Sequence, residues 1–320
     1  MSDIRDRIVS SGGAYAPPPG LLEDLTGVRG VHVREEGTCA SDLAVAASRK
    51  ALDRAGIGID DVDLLLFAAT TQDMLEPSTS HIVAAKIGAD CPAFDVKNAC
   101  NSVLNALEVA CSFIATRRYR TVLIACGEVG SLVTRWRVPD QEALMRAMPG
   151  YTVSDAGAAM VLTTGPAGDS DPGVLTLRFA ADSTSWDACT VAGGGAMNPH
   201  SLDDELCTLR LNGDLLRTTA VDSLPFILKA AGGELERVRT SAFIAFHQIA
   251  MPQYHEMLDK LMLPADRCMP AVAEHGNCAA ASLPLQLVKA QAADRIEPGD
   301  TVAMLGVASG MSFGLALIRW

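Results

Sequence analysis

The chain has 320 residues, 49% of them hydrophobic and 20% charged, with a net charge of −12. That composition excludes a disordered or fibrous protein and suffices for one sizeable core or two fused halves. The acidic balance argues against non-specific nucleic-acid binding, which needs a basic surface to displace counterions. The longest apolar stretch, LLLFAAT at 64–70, falls far short of the roughly 18 residues of a membrane span, and MSDIRDRIVSSGG lacks the apolar segment of a signal peptide. A cytoplasmic location is expected. Nine cysteines, an odd number without a C-x-x-C pair, predict free thiols in a reducing compartment and no disulfide framework or zinc ribbon.

In chain order, SDLAVAASRKALDRAGI (41–57) puts Leu43, Ala46, Ala47, Ala51 and Leu52 on one helical face, and DVDLLLFAATT then reads as a buried strand. SHIVAAKIGA predicts a helix and PAFDV a short strand. CNSVLNALEVACSFIATRRY predicts a long helix with Val103, Leu104, Leu107, Ala110 and Ile114 aligned, and RTVLIACGE a strand. Helices alternating with buried strands indicate an α/β fold. The stretch TTGPAGDSDPG (163–173) is the best candidate boundary, giving halves of 1–163 and 174–320. Basic clusters at TRRYR (116–120) and TRWR (134–137) read either as solvated faces or as landing sites for an acidic or phosphate-bearing partner.

The second half repeats the first. An offset of 178 lays 63–71 on 241–249 and 92–107 on 270–285 without a gap, matching Pro92, Ala93, Cys100 and Leu107 with Pro270, Ala271, Cys278 and Leu285; TVLIACG (121–127) meets TVAMLGV (301–307) at 180. Halves packed about a pseudo-twofold axis would bring the turn at Cys100 and the turn at Asn277 together in the middle, with His247 near both.

The motifs DVKNACNSVLNAL, FHQIAM, EHGNCAAASLP and LGVASGMSFGLALIRW resemble, in order and spacing, those of the thiolase superfamily, and within it β-ketoacyl-acyl-carrier-protein synthase III, from about residue 26 to the C-terminus. The resemblance implies a five-layered αβαβα thiolase fold built from two pseudo-twofold-related halves, a homodimer, and a Cys100, His247, Asn277 site. No tightly bound cofactor and no metal are implied; acyl-coenzyme A or an acyl-carrier protein enters as substrate. A cysteine at the first turn of a helix is expected to have its thiolate favoured by free N–H groups and the helix dipole. The backbone N–H groups of Cys100 and, by count from the C-terminus, Ser309 would hold the oxyanion. Neutral His247 would activate the thiol or stabilise an enolate oxygen, and Asn277 would donate beside it. Cys39, Cys91, Cys111, Cys126, Cys189, Cys207, Cys268 and Cys278 read as structural.

Several positions depart from the fatty-acid-initiating members of that family. Leu21 and Leu25 stand where those members carry a tryptophan and an arginine, HQAN reads HQIA, and Pro252 replaces an arginine, which weighs against acetyl-coenzyme A priming. Glu76, in MLEPSTSH, stands where the initiating enzymes have a phenylalanine reaching into the partner subunit. It resembles the glutamate of the olefin-pathway acyl-thioester condensing enzymes, and would be a base in the partner's pocket or else a loop or helix-start acid. The functions in competition are Claisen-type carbon–carbon condensation from acyl-Cys100, in specialised fatty-acid or polyketide metabolism; acyl transfer from Cys100 to an alcohol or amine; and a catalytically idle partner subunit. No P-loop pattern supports another class.

Overall fold

The computed structural model describes residues 1–165, 171–200, 203–211 and 224–320. The boundary stretch at 163–173 therefore lies in part outside the described residues. Among the described residues there are ten strands: β1 Leu64–Ala68, β2 Ala93–Val96, β3 Thr121–Val129, β4 Asp155–Thr163, β5 Gly173–Ala181, β6 Cys189–Thr190, β7 Arg210–Leu211, β8 Phe243–Phe246, β9 Thr301–Ala308 and β10 Ser312–Arg319. The helices are α1 Ser2–Ser10, α2 Leu21–Thr26, α3 Ala40–Ala55, α4 Thr79–Ile87, α5 Ser102–Ala115, α6 Gln141–Ala147, α7 Asp204–Cys207, α8 Leu224–Ala231, α9 Leu235–Thr240, α10 Met251–Leu261, α11 Val272–His275 and α12 Ser282–Ala292.

Two four-stranded sheets, ordered β2-β1-β3-β4 and β5-β10-β9-β8, enclose α5 and α12 between them. Helices α3 and α4 cover the outer face of the first sheet, and α8, α9 and α10 that of the second. This is the expected five-layered α/β architecture. A helix lying between two sheets is covered over most of its surface, and accordingly Val103, Leu104, Ala106, Leu107 and Ala110 of α5 are all buried, leaving Glu108 and Ser112 exposed. In β8 the two-residue period sorts side chains between layers: Phe243 and Ala245 join the central core, whereas Ile244 and Phe246 pack outward with Tyr254 and Leu261 of α10. A further cluster joins Ile4 and Ile8 of α1, Leu22 of α2, and Ala143 and Leu144 of α6. Among the described residues no helix is long and apolar enough to cross a membrane.

Strand registers correct the internal repeat. β1 pairs parallel with β3 at Leu64↔Val122, and β8 pairs parallel with β9 at Phe243↔Val302; β3 and β9 each continue into an antiparallel neighbour, β4 and β10. The central helices begin at Ser102 and Ser282 and the strands β3 and β9 at Thr121 and Thr301, so the offset is 180 (282 − 102; 301 − 121), while β1 and β8 differ by 179 (243 − 64). The gapless offset of 178 therefore fails. Backbone geometry marks the true equivalence: Ala99 and Ala279 adopt left-handed φ of 47° and 46°, a conformation that costs a non-glycine residue and persists where the surroundings impose it. Ala280, not Cys278, is the counterpart of Cys100, and the shared cysteine was a coincidence of composition.

The counterpart of β2 is also not a strand. Residues 272–275 form α11, because the Gln248 side chain donates to Met269 O (2.7 Å) and accepts from Val272 N (3.0 Å), taking up backbone groups that a strand would pair with a neighbour.

Helix α3 lies on the first sheet with almost no gap. It starts with Asp42 accepting from Cys39 N (2.8 Å) and ends at Gly56 in the left-handed region. Beneath it, a Cβ on Gly127 of β3 would fall 1.9 Å from Ala40 O. Replacing Gly127 with alanine is expected to lower stability by about 1–3 kcal/mol, the usual range for overpacking, measured as the shift of the urea midpoint at unchanged slope.

Candidate active site

Cys100 sits one residue ahead of Asn101, the N-cap of α5, rather than inside the helix. Its turn is built by polar side chains. Asn98 N donates to Ser102 Oγ (2.9 Å), and that hydroxyl donates to Ala99 O (2.7 Å) and lies 3.3 Å from Ala69 O at the end of β1. The Asn98 and Asn101 amides each donate to Ser312 Oγ (3.0 Å), fixing the turn to β10 of the other sheet. Asn101 also presses on β9, where a Cβ on Gly306 would come 1.9 Å from Asn101 Oδ1.

His247 directly follows β8, and its N–H donates to Leu305 O (2.9 Å) of β9. Cys100 and His247 are therefore held on either side of the Leu305–Gly306 step, Cys100 through Asn101 and His247 through its own backbone. The imidazole is 4% exposed, and its Nδ1 has no hydrogen-bond partner among the described residues. Burial pushes the His247 pKa down to about 4.

Asn277 is 8% exposed and held at both backbone groups: its N–H donates to Thr152 O (2.7 Å), and its carbonyl accepts from Ser154 N (2.9 Å). Gly276 ahead of it has φ +65°, and an added Cβ would meet Thr152 O at 2.5 Å, so only glycine fits. The Asn277 Oδ1 accepts from Ala279 N (2.9 Å), which assigns the side chain's orientation and leaves the Nδ2 donors without a protein partner among the described residues. Gln248, next to His247, bridges from β8 to the loop before α11 and donates to Gln286 Oε1 (3.0 Å) of α12.

The electrostatics differ from the sequence expectation at one point. A helix-start position was expected to favour the thiolate, yet burial dominates and pushes the Cys100 thiol up, with the charges of Glu128 and Cys189 adding to the effect. Ser309, in the turn between β9 and β10, has its hydroxyl hydrogen-bonded to Cys189, which is itself pushed up to about 11 by burial. Ser309 and Cys100 thus share Cys189 as a neighbour. Cys278 is buried with its thiol near His275 O (3.4 Å).

Glu76 lies apart from these residues, exposed on the loop before α4, between Met74 and Leu75 on one side and Pro77 on the other. It does not cap α4: Asp95 does, accepting from Thr79 N (3.0 Å) and Ser80 N (2.8 Å). Two other acids escape a reading of sequence alone. Asp155 accepts from Ser131 N (2.7 Å) and Arg34 N (2.7 Å), and Glu128 is fully buried at the end of β3. The only signal for Glu128 is a charge inside the apolar run TVLIACGEV. In the TRWR cluster, Arg135 pairs with Glu205 (2.9 Å) and the Arg7 guanidinium lies 4.4 Å over the Trp136 ring, so both are engaged internally.

Paired sheets around two buried helices, with a cysteine at the turn before one of them, make up a thiolase fold, and the family models and relatives make the protein an enzyme of the condensing transferase type. Family models agree: 3-oxoacyl-[acyl-carrier-protein] synthase III matches residues 94–183, and its C-terminal model matches 230–320. The β-ketoacyl-[acyl-carrier-protein] synthase III of Thiobacillus denitrificans is 32% identical over 302 residues, covering 93% of this chain and 90% of its own. That of Bordetella petrii is 32% identical over 303 residues, covering 93% and 87%. Among solved structures, the 3-oxoacyl-(acyl carrier protein) synthase III FabH of Xanthomonas oryzae superposes with a TM-score of 0.86 at 26% identity, covering all of this chain and 94% of its own. A cysteine-to-serine variant of Xanthomonas campestris OleA, with bound lauric acid and lauroyl-CoA, gives 0.85 at 25% identity, covering 100% and 94%. The chain belongs to the 3-oxoacyl-[acyl-carrier-protein] synthase III family.

The buried neutral imidazole has a consequence for stability. His247 titrates near 4 in the folded chain and near 6.5 when unfolded, so the unfolded state binds the extra proton. Its contribution, about 3 kcal/mol, is fully present above pH 6.5 and is lost as pH falls towards 4. Urea midpoints measured from pH 7 down to pH 4.5 should fall less steeply for His247→Gln than for the native chain.

Proposed function

We propose that the protein forms an acyl thioester on Cys100 and passes the acyl group on by Claisen-type condensation, giving a 3-oxoacyl product, as a 3-oxoacyl synthase III-like enzyme of specialised fatty-acid or polyketide metabolism. The observation that carries this reading is the state of the two polar side chains beside the nucleophile turn. His247 is held neutral by burial, and Asn277 has its oxygen tied and, among the described residues, its amide donors free. That pair suits contacts to a developing oxyanion or enolate oxygen.

In the first half-reaction the Cys100 sulfur bonds to the carbonyl carbon of a coenzyme A or carrier-protein thioester. Because the thiol is protonated at rest, its proton must leave as the bond forms; neutral His247 accepts it and returns it to the departing thiolate. The backbone N–H groups of Cys100 and Ser309 hold the oxyanion before the donor's carbon–sulfur bond breaks. In the second, a base takes an α-proton from a second thioester, and the enolate carbon bonds to the acyl carbon. The bond to Cys100 then breaks, and the sulfur regains a proton. His247 and Asn277 hold the enolate oxygen.

We assign the base to Glu76 of the partner subunit in a homodimer. Met74 and Leu75 beside it are 50% and 77% exposed, an apolar tip whose burial in a second copy would be favourable. Leu21, Leu25 and Pro252 support a donor other than acetyl-coenzyme A.

Intact-mass spectrometry after incubation with a panel of acyl-coenzyme A and acyl-carrier substrates should add one acyl mass to the native chain, mapped to Cys100, and none to Cys100→Ala. Acylation that persists in the variant or maps to Cys189 or Cys278 overturns the assignment. Glu76→Gln should keep acylation of Cys100 and lose deuterium exchange at the α-carbon of the second thioester together with product. Native protein without α-exchange, and a variant that transfers acyl groups to alcohols or amines at the native rate, would favour simple acyl transfer instead.

A further inference from the structure

We propose that Glu128 is a positioning residue of this site: a buried anion that ties the strand end beneath the Cys100 turn to the turn that carries Asn277. The proposal rests on the roles given to Cys100 and Asn277 above. Glu128 is 0% exposed. One carboxylate oxygen accepts from Thr70 N (2.8 Å) and Ala280 N (3.2 Å); the other accepts from the Thr70 hydroxyl and from Thr71 N (3.3 Å), while the Thr71 hydroxyl donates to Gly127 O (3.0 Å). Three of these donors are backbone N–H groups, which can only donate, so the geometry calls for a carboxylate that only accepts. Among the described residues no lysine, arginine or histidine pairs with it.

Each bond leads to a functional turn. Thr70 follows Ala69, whose carbonyl lies against the Ser102 hydroxyl that builds the Cys100 turn. Ala280 follows Ala279, whose N–H orients Asn277. The pseudo-twofold relation sharpens the point. An offset of 180 carries Cys100 onto Ala280 and Glu128 onto Ala308. In one half a carboxylate therefore sits against the N–H of residue 280; in the other, the position equivalent to Glu128 is Ala308, which brings no carboxylate to the Cys100 N–H.

The same charge faces the nucleophile. Cys100 is exposed to the charges of Glu128 and Cys189, and Glu128 also acts on Cys126 and Cys278. Burial in turn pushes the Glu128 carboxyl up, while its donors oppose that shift. A buried anion here disfavours a resting thiolate and reserves ionisation for the moment His247 takes the proton.

The test is the pH profile of Cys100 alkylation by iodoacetamide, which needs no acyl substrate and so stands even if the condensing reaction fails. Glu128→Gln keeps the shape and removes the charge. It should move the profile towards acid, with alkylation at pH 7.5 faster by about tenfold, the effect of one pKa unit. Product formation should fall in kcat while KM for the acyl donor stays within about twofold, as for an interaction made in the transition state. A profile that superposes on the native one, with only the melting temperature changed, overturns the proposal and leaves Glu128 as a core acid. If Glu128→Gln does not fold, Glu128→Ala purified with formate answers the same question: formate should slow its alkylation back towards the native rate, and indifference to formate overturns the proposal.

Discussion

Everything at this site depends on two helices being enclosed between two sheets. A helix leaves its first N–H groups without intrahelical partners, and on a surface helix water takes them. The starts of α5 and α12 are instead in the middle of the molecule, so their turns must be satisfied by protein or by substrate. At Cys100 the carbonyls of Ala99 and Asn101 accept from Ser102 N and Asn105 N, while Ser102, Asn98, Asn101 and Ser312 brace the turn that presents them, and Glu128 accepts from Ala280 N. The polar residues of the interior are thus concentrated where the helices begin, and the reactive cysteine stands among them.

Membership of the synthase III family fixes the class of chemistry more firmly than the partners in it. The framework of sheets and central helices is shared with the Xanthomonas oryzae enzyme at a TM-score of 0.86. The N-terminal helices α1 and α2 pack with α6 in a cluster of their own, and Gly27 at the end of α2 presses against Met251, an added Cβ falling 2.5 Å from its side chain. The start of the chain is therefore mechanically connected to the helix that follows His247. Substitutions in that region act on the surroundings of the site without altering its polar centre.

How much of this could be read from sequence differs by residue. Cys100, His247 and Asn277 could be singled out as candidates because each lies in a local motif whose neighbours also have structural jobs: Gln248 bridges to α12, Gly276 permits the tight approach to Thr152, and Ser102 closes the turn. Helices and parallel strands were legible because an apolar period needs only one chain segment to be seen. The register of the repeat was not, since a shared cysteine outweighed a one- or two-residue slip whose only marker is the left-handed backbone of Ala99 and Ala279. Glu128 and Asp95 escaped because their partners are backbone N–H groups from remote segments, which no side-chain pattern records. The protonated state of Cys100 escaped for a related reason: local position announces a helix start, but depth in the fold decides the cost of charge.

The equivalence of Cys100 with Ala280 bears on how such an enzyme can change over generations. A doubled architecture in principle offers two places for a nucleophile, and a lineage could migrate from one to the other. Here the two places carry complementary pairs, cysteine with alanine at 308 and alanine at 280 with glutamate, so a lone exchange at either turn yields a thiol against a carboxylate or an N–H group left without an acceptor. Migration would require several coordinated replacements, each intermediate being impaired. The doubled architecture is thereby locked in one sense of use, with the nucleophile confined to one of its two turns.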